Sequence, residues 1–245
     1  MATITKNKFS PSVNILRDKA SAFDYTQTRN ASQATSTILN NYRSGVRSFV
    51  LIGAYGTGKS SFLLALSQSL SKKNNHFTEF KKQFSALPEF EFFDVVGEYG
   101  SLEEHFSKLF GSKKILSSEL LIAELESKRK QLAKKKKGLA IVIDEFGKFL
   151  EYAAKNNPES ELYFIQQLAE WANNAENDTL FISTLHQDFS AYALHLPRTQ
   201  RLEWDKVKGR LKELPFNEPV EQLLLLAANR LEKKFVKLPR NKDFD

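Results

Sequence analysis

Two short stretches carry residue types that handle phosphate. The first, Gly53-Ala54-Tyr55-Gly56-Thr57-Gly58-Lys59-Ser60, has the spacing Gly-x4-Gly-Lys-Ser. Glycines at those positions let the backbone turn tightly around oxyanions with amide N–H groups pointing inward, where a side chain would obstruct the approach. A helix opening at the lysine and serine adds its N-terminal N–H groups and dipole. In such a loop Lys59 reaches the β- and γ-phosphates of a nucleotide, and the Ser60 hydroxyl ligates Mg²⁺. Ser61, next in line, reads as a helix residue more than as a ligand.

The second stretch is Asp144-Glu145, which closes the apolar run Leu139-Ala140-Ile141-Val142-Ile143. Asp144 at a strand's C-terminal end stands at the edge where open α/β sheets put their ligands, and it can hold the Mg²⁺ hydration shell. Glu145 can orient or deprotonate an attacking water, since phosphoryl transfer is mainly positioning plus charge stabilisation. Both acids would also suit the start of a helix after Phe146. With the glycine loop upstream, the pair points to hydrolysis beyond mere binding.

These residues need elements to hold them. Ser48-Phe49-Val50-Leu51-Ile52 is a short β-favouring run before the loop, and Ser61-Phe62-Leu63-Leu64-Ala65-Leu66 after it suits a helix, giving strand, loop, helix. Phe90-Glu91-Phe92-Phe93-Asp94-Val95-Val96 predicts another parallel strand, followed by Gly97 and a helix near Ser101, which has capping-box spacing to Glu104. Residues 117–137 predict a charged helix with Leu120, Leu121, Leu125 and Leu132 on or near one side, ending in four lysines and Gly138. The continuous apolar run 139–143 fits a central strand covered on both faces. Leu162, Ile165, Leu168, Ala169 and Ala172 repeat at helical spacing, and Thr179-Leu180-Phe181-Ile182-Ser183-Thr184 supplies a further strand. An irregular basic region follows, then a short strand at Glu213-Leu214-Pro215-Phe216 and a helix opening at Asn217-Glu218-Pro219 and running through Leu223 to Leu231. Weak helical signals lie around Ala31 to Tyr42.

The expected fold is α/β: a three-layer, mostly parallel sheet of about five strands with helices on both faces. Residues 1–47 form an N-terminal lead-in, 48–216 the core, and 217–245 the start of an incomplete helical lid or a C-terminal extension.

Composition narrows the chemistry further. At 245 residues and 41% hydrophobic content the chain can bury a proper core. It has no cysteine, which excludes disulfides, thiolate zinc sites and cysteine nucleophiles, and suits a reducing compartment. No stretch approaches the roughly 18 apolar residues of a membrane span, and the N-terminus lacks a signal-peptide core. A soluble, cytoplasmic protein with no membrane partner is expected. His76, His105, His186 and His195 show no paired metal-ligand spacing, leaving Mg²⁺ as the expected metal. The net charge of +7 and the basic run 128–137 would allow nucleic-acid contact, although such a run is more often a solvated helix end. Tyr25 and Tyr42 could stack on a base, but packing is the more ordinary role for either.

The stretches 53–60, 139–145 and 180–184, with Gly209-Arg210-Leu211 ahead of Pro215 and Pro219, resemble the additional-strand class of P-loop ATPases, within it the AAA+ and STAND-type enzymes. The resemblance implies ATP as the nucleotide, since no guanine-reading Asn-Lys-x-Asp stretch occurs. It implies an extra strand between those bearing the loop and the acidic pair, ending in a polar sensor that contacts the γ-phosphate or water. Thr184 stands there, with Ser183, His186 and Gln187 as rivals. It implies an arginine before the last core strand reaching a neighbouring subunit's ATP, hence a homo-oligomer or larger ATPase assembly. Arg210 holds that position, with Arg198 and Arg201 as alternatives. The function implied is ATP hydrolysis coupled to assembly or conformational change. A nucleotide-gated signalling switch with little turnover and a DNA-dependent translocase or remodelling subunit are the other readings. The loop sequence with Thr-Leu-His-Gln is also similar to large ATPases of bacterial phage-defence systems, which implies an antiviral setting.

Overall fold

A computed structural model describes residues 13–20 and 25–219, together with 221, 222, 224 and 228. Helix α1 (Arg29–Arg43) leads into strand β1 (Ser48–Ile52), and helix α2 (Lys59–Leu70) follows the glycine loop. Then come α3 (Lys81–Ser85), β2 (Glu89–Val96), α4 (Leu102–Leu109), α5 (Ser118–Ala133) and β3 (Lys137–Asp144). The chain continues through α6 (Gly147–Lys155), α7 (Pro158–Ala172), β4 (Thr179–Leu185), α8 (Arg198–Lys208) and β5 (Lys212–Pro215). The strands pair in parallel as one five-stranded sheet in the order β2-β3-β4-β1-β5. β4 therefore lies between β1, which precedes the glycine loop, and β3, which ends in Asp144.

Parallel strands joined by helices are covered on both faces, so alternate side chains must feed two cores. Leu139, Ile141 and Ile143 of β3 join Phe181 and Leu185 of β4 in a core with Leu121, Phe149, Phe164, Leu168 and Trp204. The intervening Ala140, Val142, Leu180 and Ile182 face the other way, into a core with Phe49, Leu51, Phe62, Phe77 and Phe84. Ala31, Ala34, Ile38, Leu39 and Tyr42 of α1 belong to this second core, so residues 29–43 pack on the sheet directly. Among the described residues no helix is long and apolar enough to cross a membrane.

Several local expectations are corrected. The charged helix stops at Ala133, before the lysine run; Lys136 takes the left-handed turn (φ 56°) and Lys137 already begins β3. Gly138 is thus a strand residue and not a helix cap. A Cβ there would lie 2.6 Å from the Phe90 ring and 2.9 Å from the Asp178 carbonyl, which explains the glycine by close packing. Leu120 is 54% exposed while Leu121, Leu125 and Leu132 are buried, so the apolar stripe of α5 is narrower than expected. The supposedly irregular region after β4 contains α8, whose Trp204 and Val207 are its two buried positions and give too sparse a signal for periodicity to register. Ser101 caps α4 by accepting from the Glu104 N–H at 3.1 Å, but the Glu104 carboxylate turns to Lys108 in place of closing the box. Asn217, Glu218 and Pro219 stand outside any helix, whereas Glu221, Gln222, Leu224 and Ala228 beyond them are helical and the rest of the helix expected there lies outside the described residues.

Candidate functional site

β1 delivers Gly53 to the C-terminal edge of the sheet, where the loop 53–58 turns into α2. Gly56 and Gly58 adopt φ of 78° and 87°, a region open to glycine at no steric cost. The glycine at 53 has a different cause. A Cβ there would fall 2.0 Å from the carbonyl oxygen of Phe216, because the chain leaving β5 crosses directly against the loop. Asn217 in that crossing accepts a hydrogen bond from the Ala54 N–H at 3.1 Å, and Phe216 packs its ring on Phe62 of α2 at 5.0 Å. Sequence reading missed Asn217 as part of the loop's support, since 163 residues separate it from Ala54.

Lys59 folds back over the loop: Nζ donates to the carbonyls of Gly53 at 2.6 Å and Ala54 at 2.8 Å. Burial lowers the lysine pKa below its ordinary value, while the negative charges of Asp144 and Glu145 oppose that shift. Thr57 Oγ1 donates to the Ala54 carbonyl at 2.9 Å, bracing the loop from inside. Ser60 and Ser61 stand in the first turn of α2, Tyr55 is 75% exposed, and Ala54 is exposed.

Two strands away, Asp144 ends β3 with only 4% of its surface exposed. Its Oδ1 accepts from Thr184 Oγ1 at 2.7 Å and from the Glu145 N–H at 3.1 Å. The Glu145 N–H also reaches Thr184 Oγ1 at 2.9 Å. Asp144, Glu145 and Thr184 thereby form one hydrogen-bonded unit spanning the C-terminal ends of β3 and β4. Glu145 has φ 54°, a left-handed conformation that costs a side-chain-bearing residue about 1–3 kcal/mol and persists only where the surroundings dictate it. Here they do, through the two bonds to its N–H and the approach of Gly97 from β2's end. The Gly97 N–H donates to the Asp144 carbonyl at 2.7 Å, and a Cβ on Gly97 would lie 2.0 Å from the Glu145 carbonyl oxygen. The Glu145 carboxylate is half exposed and paired with Lys148.

That packing gives a prediction. Gly97→Ala should destabilise the fold by about 1–3 kcal/mol, because the clash is with backbone on both sides and neither can yield like a flexible side chain. Urea unfolding with an unchanged midpoint would show that the edge of the sheet relaxes freely at Glu145.

The remaining expected residues divide by location. Ser183 points into the sheet interior toward the Phe49 carbonyl, and Gln187 is exposed. His186 stacks on Tyr55 at 4.8 Å. Arg210 precedes β5 and so lies at the opposite, N-terminal edge, where its Nε donates to Glu170 at 2.5 Å and its Nη1 to the Lys206 carbonyl at 2.7 Å. It is not brought to this chain's own glycine loop. Arg198 and Arg201 open α8 and are exposed.

Tyr42 is buried near the N-terminal edge, under the Arg47 guanidinium and donating to Asp178 at 3.1 Å, which removes it from any base-stacking role at the loop. Tyr25 packs edge-on to Phe77 and His76. In the basic run, Lys128 pairs with Glu91, Arg129 and Lys130 with Glu126, and Lys137 with Glu89, so much of its charge is met within the chain.

This chemistry can be set beside known proteins. No curated protein matches the chain. Among solved structures, the Aeropyrum pernix ORC2 protein in its ADPNP-ADP complexes superposes with a TM-score of 0.58 at 15% identity, over 88% of this chain and 55% of that one. Its ADP form gives 0.56 at 17% identity, over 88% and 56%. A further match, C. elegans PCH-2, has a TM-score of 0.47 at 14% identity, over 93% and 54%. The chain thus spans about half the length of the structures it matches. At such identities the likeness to the two ORC2 structures is one of fold: a P-loop three-layer α/β domain. The family model "Novel STAND NTPase 1" matches residues 28–223, from the cap of α1 through β5 and beyond. With the glycine loop, the intervening β4 and the acidic pair all inside that span, the chain is a nucleotide-binding NTPase domain and belongs to the novel STAND NTPase 1 family.

Proposed function

We propose that the chain is an ATP-hydrolysing module whose nucleotide lies along the loop 53–60 with its γ-phosphate toward Asp144, Glu145 and Thr184. The observation that carries this reading is the hydrogen-bonded unit of those three residues at the sheet edge that also bears Lys59. The Lys59 ammonium, released from the Gly53 and Ala54 carbonyls, bonds the β- and γ-phosphates. Glu145 takes a proton from the water that attacks the γ-phosphorus as the bond to the ADP oxygen breaks. Thr184 holds the water or a γ-phosphate oxygen. Mg²⁺ would neutralise charge on the β- and γ-oxygens, and the donors for it fit: a Ser60 hydroxyl and an Asp144 carboxylate whose two bonds both fall on Oδ1 are hard oxygen ligands of the kind it takes. Phosphate release from ATP, measured with and without a chelator and against GTP as competitor, tests this. Turnover that persists in the chelator would contradict the metal's role.

A second reading, a nucleotide-gated switch with slow turnover, is favoured by one observation: the Glu145 carboxylate is paired with Lys148 and Lys59 with its own loop, a resting arrangement for both. ATP-dependent assembly without appreciable phosphate release would support it. The sequence resemblance to phage-defence ATPases supports an antiviral setting for either.

The arginine supplied between subunits is part of the same proposal. Arg210 would have to leave Glu170 to reach a neighbour, and Arg198 and Arg201 carry no ion pair among the described residues. If Arg210 acts in trans, mixing Arg210→Ala with Glu145→Gln subunits under assembling conditions restores activity at interfaces that pair an intact Glu145 with an intact Arg210. No recovery, with assembly verified by mass and both parents inactive, would make Arg210 a structural residue and return attention to Arg198 and Arg201.

A further inference from the structure

Thr184 and Leu185, the last two residues of β4, and His186 just after them are wired alternately to the two halves of the site. Thr184 bonds Asp144 and the Glu145 N–H, and its carbonyl accepts from the Phe146 N–H at 3.0 Å. Leu185 turns the other way: its carbonyl accepts from the Gly53 N–H at 3.1 Å, fixing the first residue of the glycine loop. His186 completes the alternation with both connections at once. Its ring lies on Tyr55, centroids 4.8 Å apart and planes 21° from parallel, with the Tyr55 hydroxyl 3.3 Å from Nδ1. Tyr192 meets the same ring edge-on at 5.7 Å, its hydroxyl also 3.3 Å from Nδ1. That hydroxyl sits where position 147 has no side chain: a Cβ on Gly147 would be 2.2 Å away.

Tyr55 itself is unusual. It is a large aromatic, 75% exposed, in the middle of a loop whose purpose needs bare backbone. Its ring lies on the His186 face and its hydroxyl meets His186 Nδ1. Through Tyr192, that face is also tied to Gly147, the first residue of the helix that carries Lys148, the ion-pair partner of Glu145. A path of direct contacts therefore runs from the exposed side of the glycine loop to the helix behind the acidic pair.

We propose that His186 is a positioning residue for the hydrolytic step, acting through the stacked Tyr55 to hold the outer side of the loop in register with Glu145. The proposal rests on the reading of the site as hydrolytic. His186 does not bind the phosphates itself, so its loss leaves nucleotide affinity in place and slows turnover. An aromatic pair contributes no more than about 1.5 kcal/mol, which sets the expected loss at about tenfold.

The test is a double-mutant cycle on the full chain, reading kcat and ATP affinity separately. Both side chains are accessible enough for truncation to leave the core intact, which melting curves would verify. His186→Ala and Tyr55→Ala should each lower kcat about tenfold with the dissociation constant for ATP within about twofold of wild type. The double variant should also lose about tenfold, because the two act as one unit. His186→Phe, which keeps the ring face, should recover at least about threefold of the loss. A double variant down by about a hundredfold, affinity falling in step with kcat, no recovery in His186→Phe, or wild-type kcat in His186→Ala would each overturn the proposal. Absence of turnover in the wild-type chain would overturn the hydrolytic reading and this proposal together. Wild-type turnover with an unaffected His186→Ala overturns this proposal alone.

Discussion

Glu145→Gln should retain ATP while losing about two to four orders of magnitude in hydrolysis, the usual contribution of a positioned general base. The substitution preserves shape. It leaves the Glu145 N–H in its bonds to Thr184 and Asp144, so neither the left-handed backbone nor the Asp144 carboxylate is disturbed. What disappears is the oxygen proposed to accept a proton from water, together with the charge that now pairs with Lys148. Rapid-quench measurement of bound nucleotide should find intact ATP in this variant. Wild-type turnover would reduce Glu145 to a residue that merely shapes the turn into α6.

Lys59→Ala should weaken ATP binding by about ten- to a hundredfold, the range expected for one charge-assisted hydrogen bond of about 1.5–3 kcal/mol. The effect is on binding because the proposed role puts the lysine against the phosphates in the ground state. Folding should survive, since Gly56 and Gly58 keep their turns and the loop is still held by Asn217 at Ala54 and by Thr57. Removing the ammonium also removes its bonds to the carbonyls of the buried Gly53 and the exposed Ala54, the second of which water can satisfy. Calorimetry with unchanged ATP affinity in a folded variant would sever the loop from nucleotide binding altogether.

The parts of the site legible in the sequence are those whose chemistry and spacing are local. The glycine loop is eight successive residues, and Asp144-Glu145 follows directly on five apolar ones, so strand, loop and acid are read in one pass. The three inner strands β1, β3 and β4 were legible for the same reason, since fully buried parallel strands are continuous apolar runs, whereas the half-exposed edge strands β2 and β5 rested on β-favouring residues alone. Resemblance to the additional-strand class added the order of the strands, with β4 between β1 and β3, which no periodicity in the chain encodes.

What stayed hidden depends on distance. Asn217 bonds Ala54 across most of the chain, and the carbonyl of Phe216 fills the space that makes position 53 a glycine. Gly97 is ordinary in sequence, a glycine after a strand, and only the neighbouring β3 reveals that the Glu145 carbonyl excludes any side chain there. The lysine run misled because cations suit a helix end, yet Lys137 is needed one residue later to open β3 opposite Glu89. Helix α8 was missed since two buried residues in eleven cannot establish a helical period. Arg210 could be placed before β5 from its neighbours, whereas its pairing with Glu170 of α7 is a tertiary fact.

Single-turnover phosphate release tests the central claim most directly, with ATP and Mg²⁺ mixed into an excess of wild-type chain over a range of protein concentrations and compared with Glu145→Gln. Release of phosphate by the wild type and retention of intact ATP by Glu145→Gln is the predicted result. Equal release by the two, or a wild-type chain that binds ATP at every concentration and never cleaves it, would contradict the assignment of Asp144, Glu145 and Thr184 to hydrolysis.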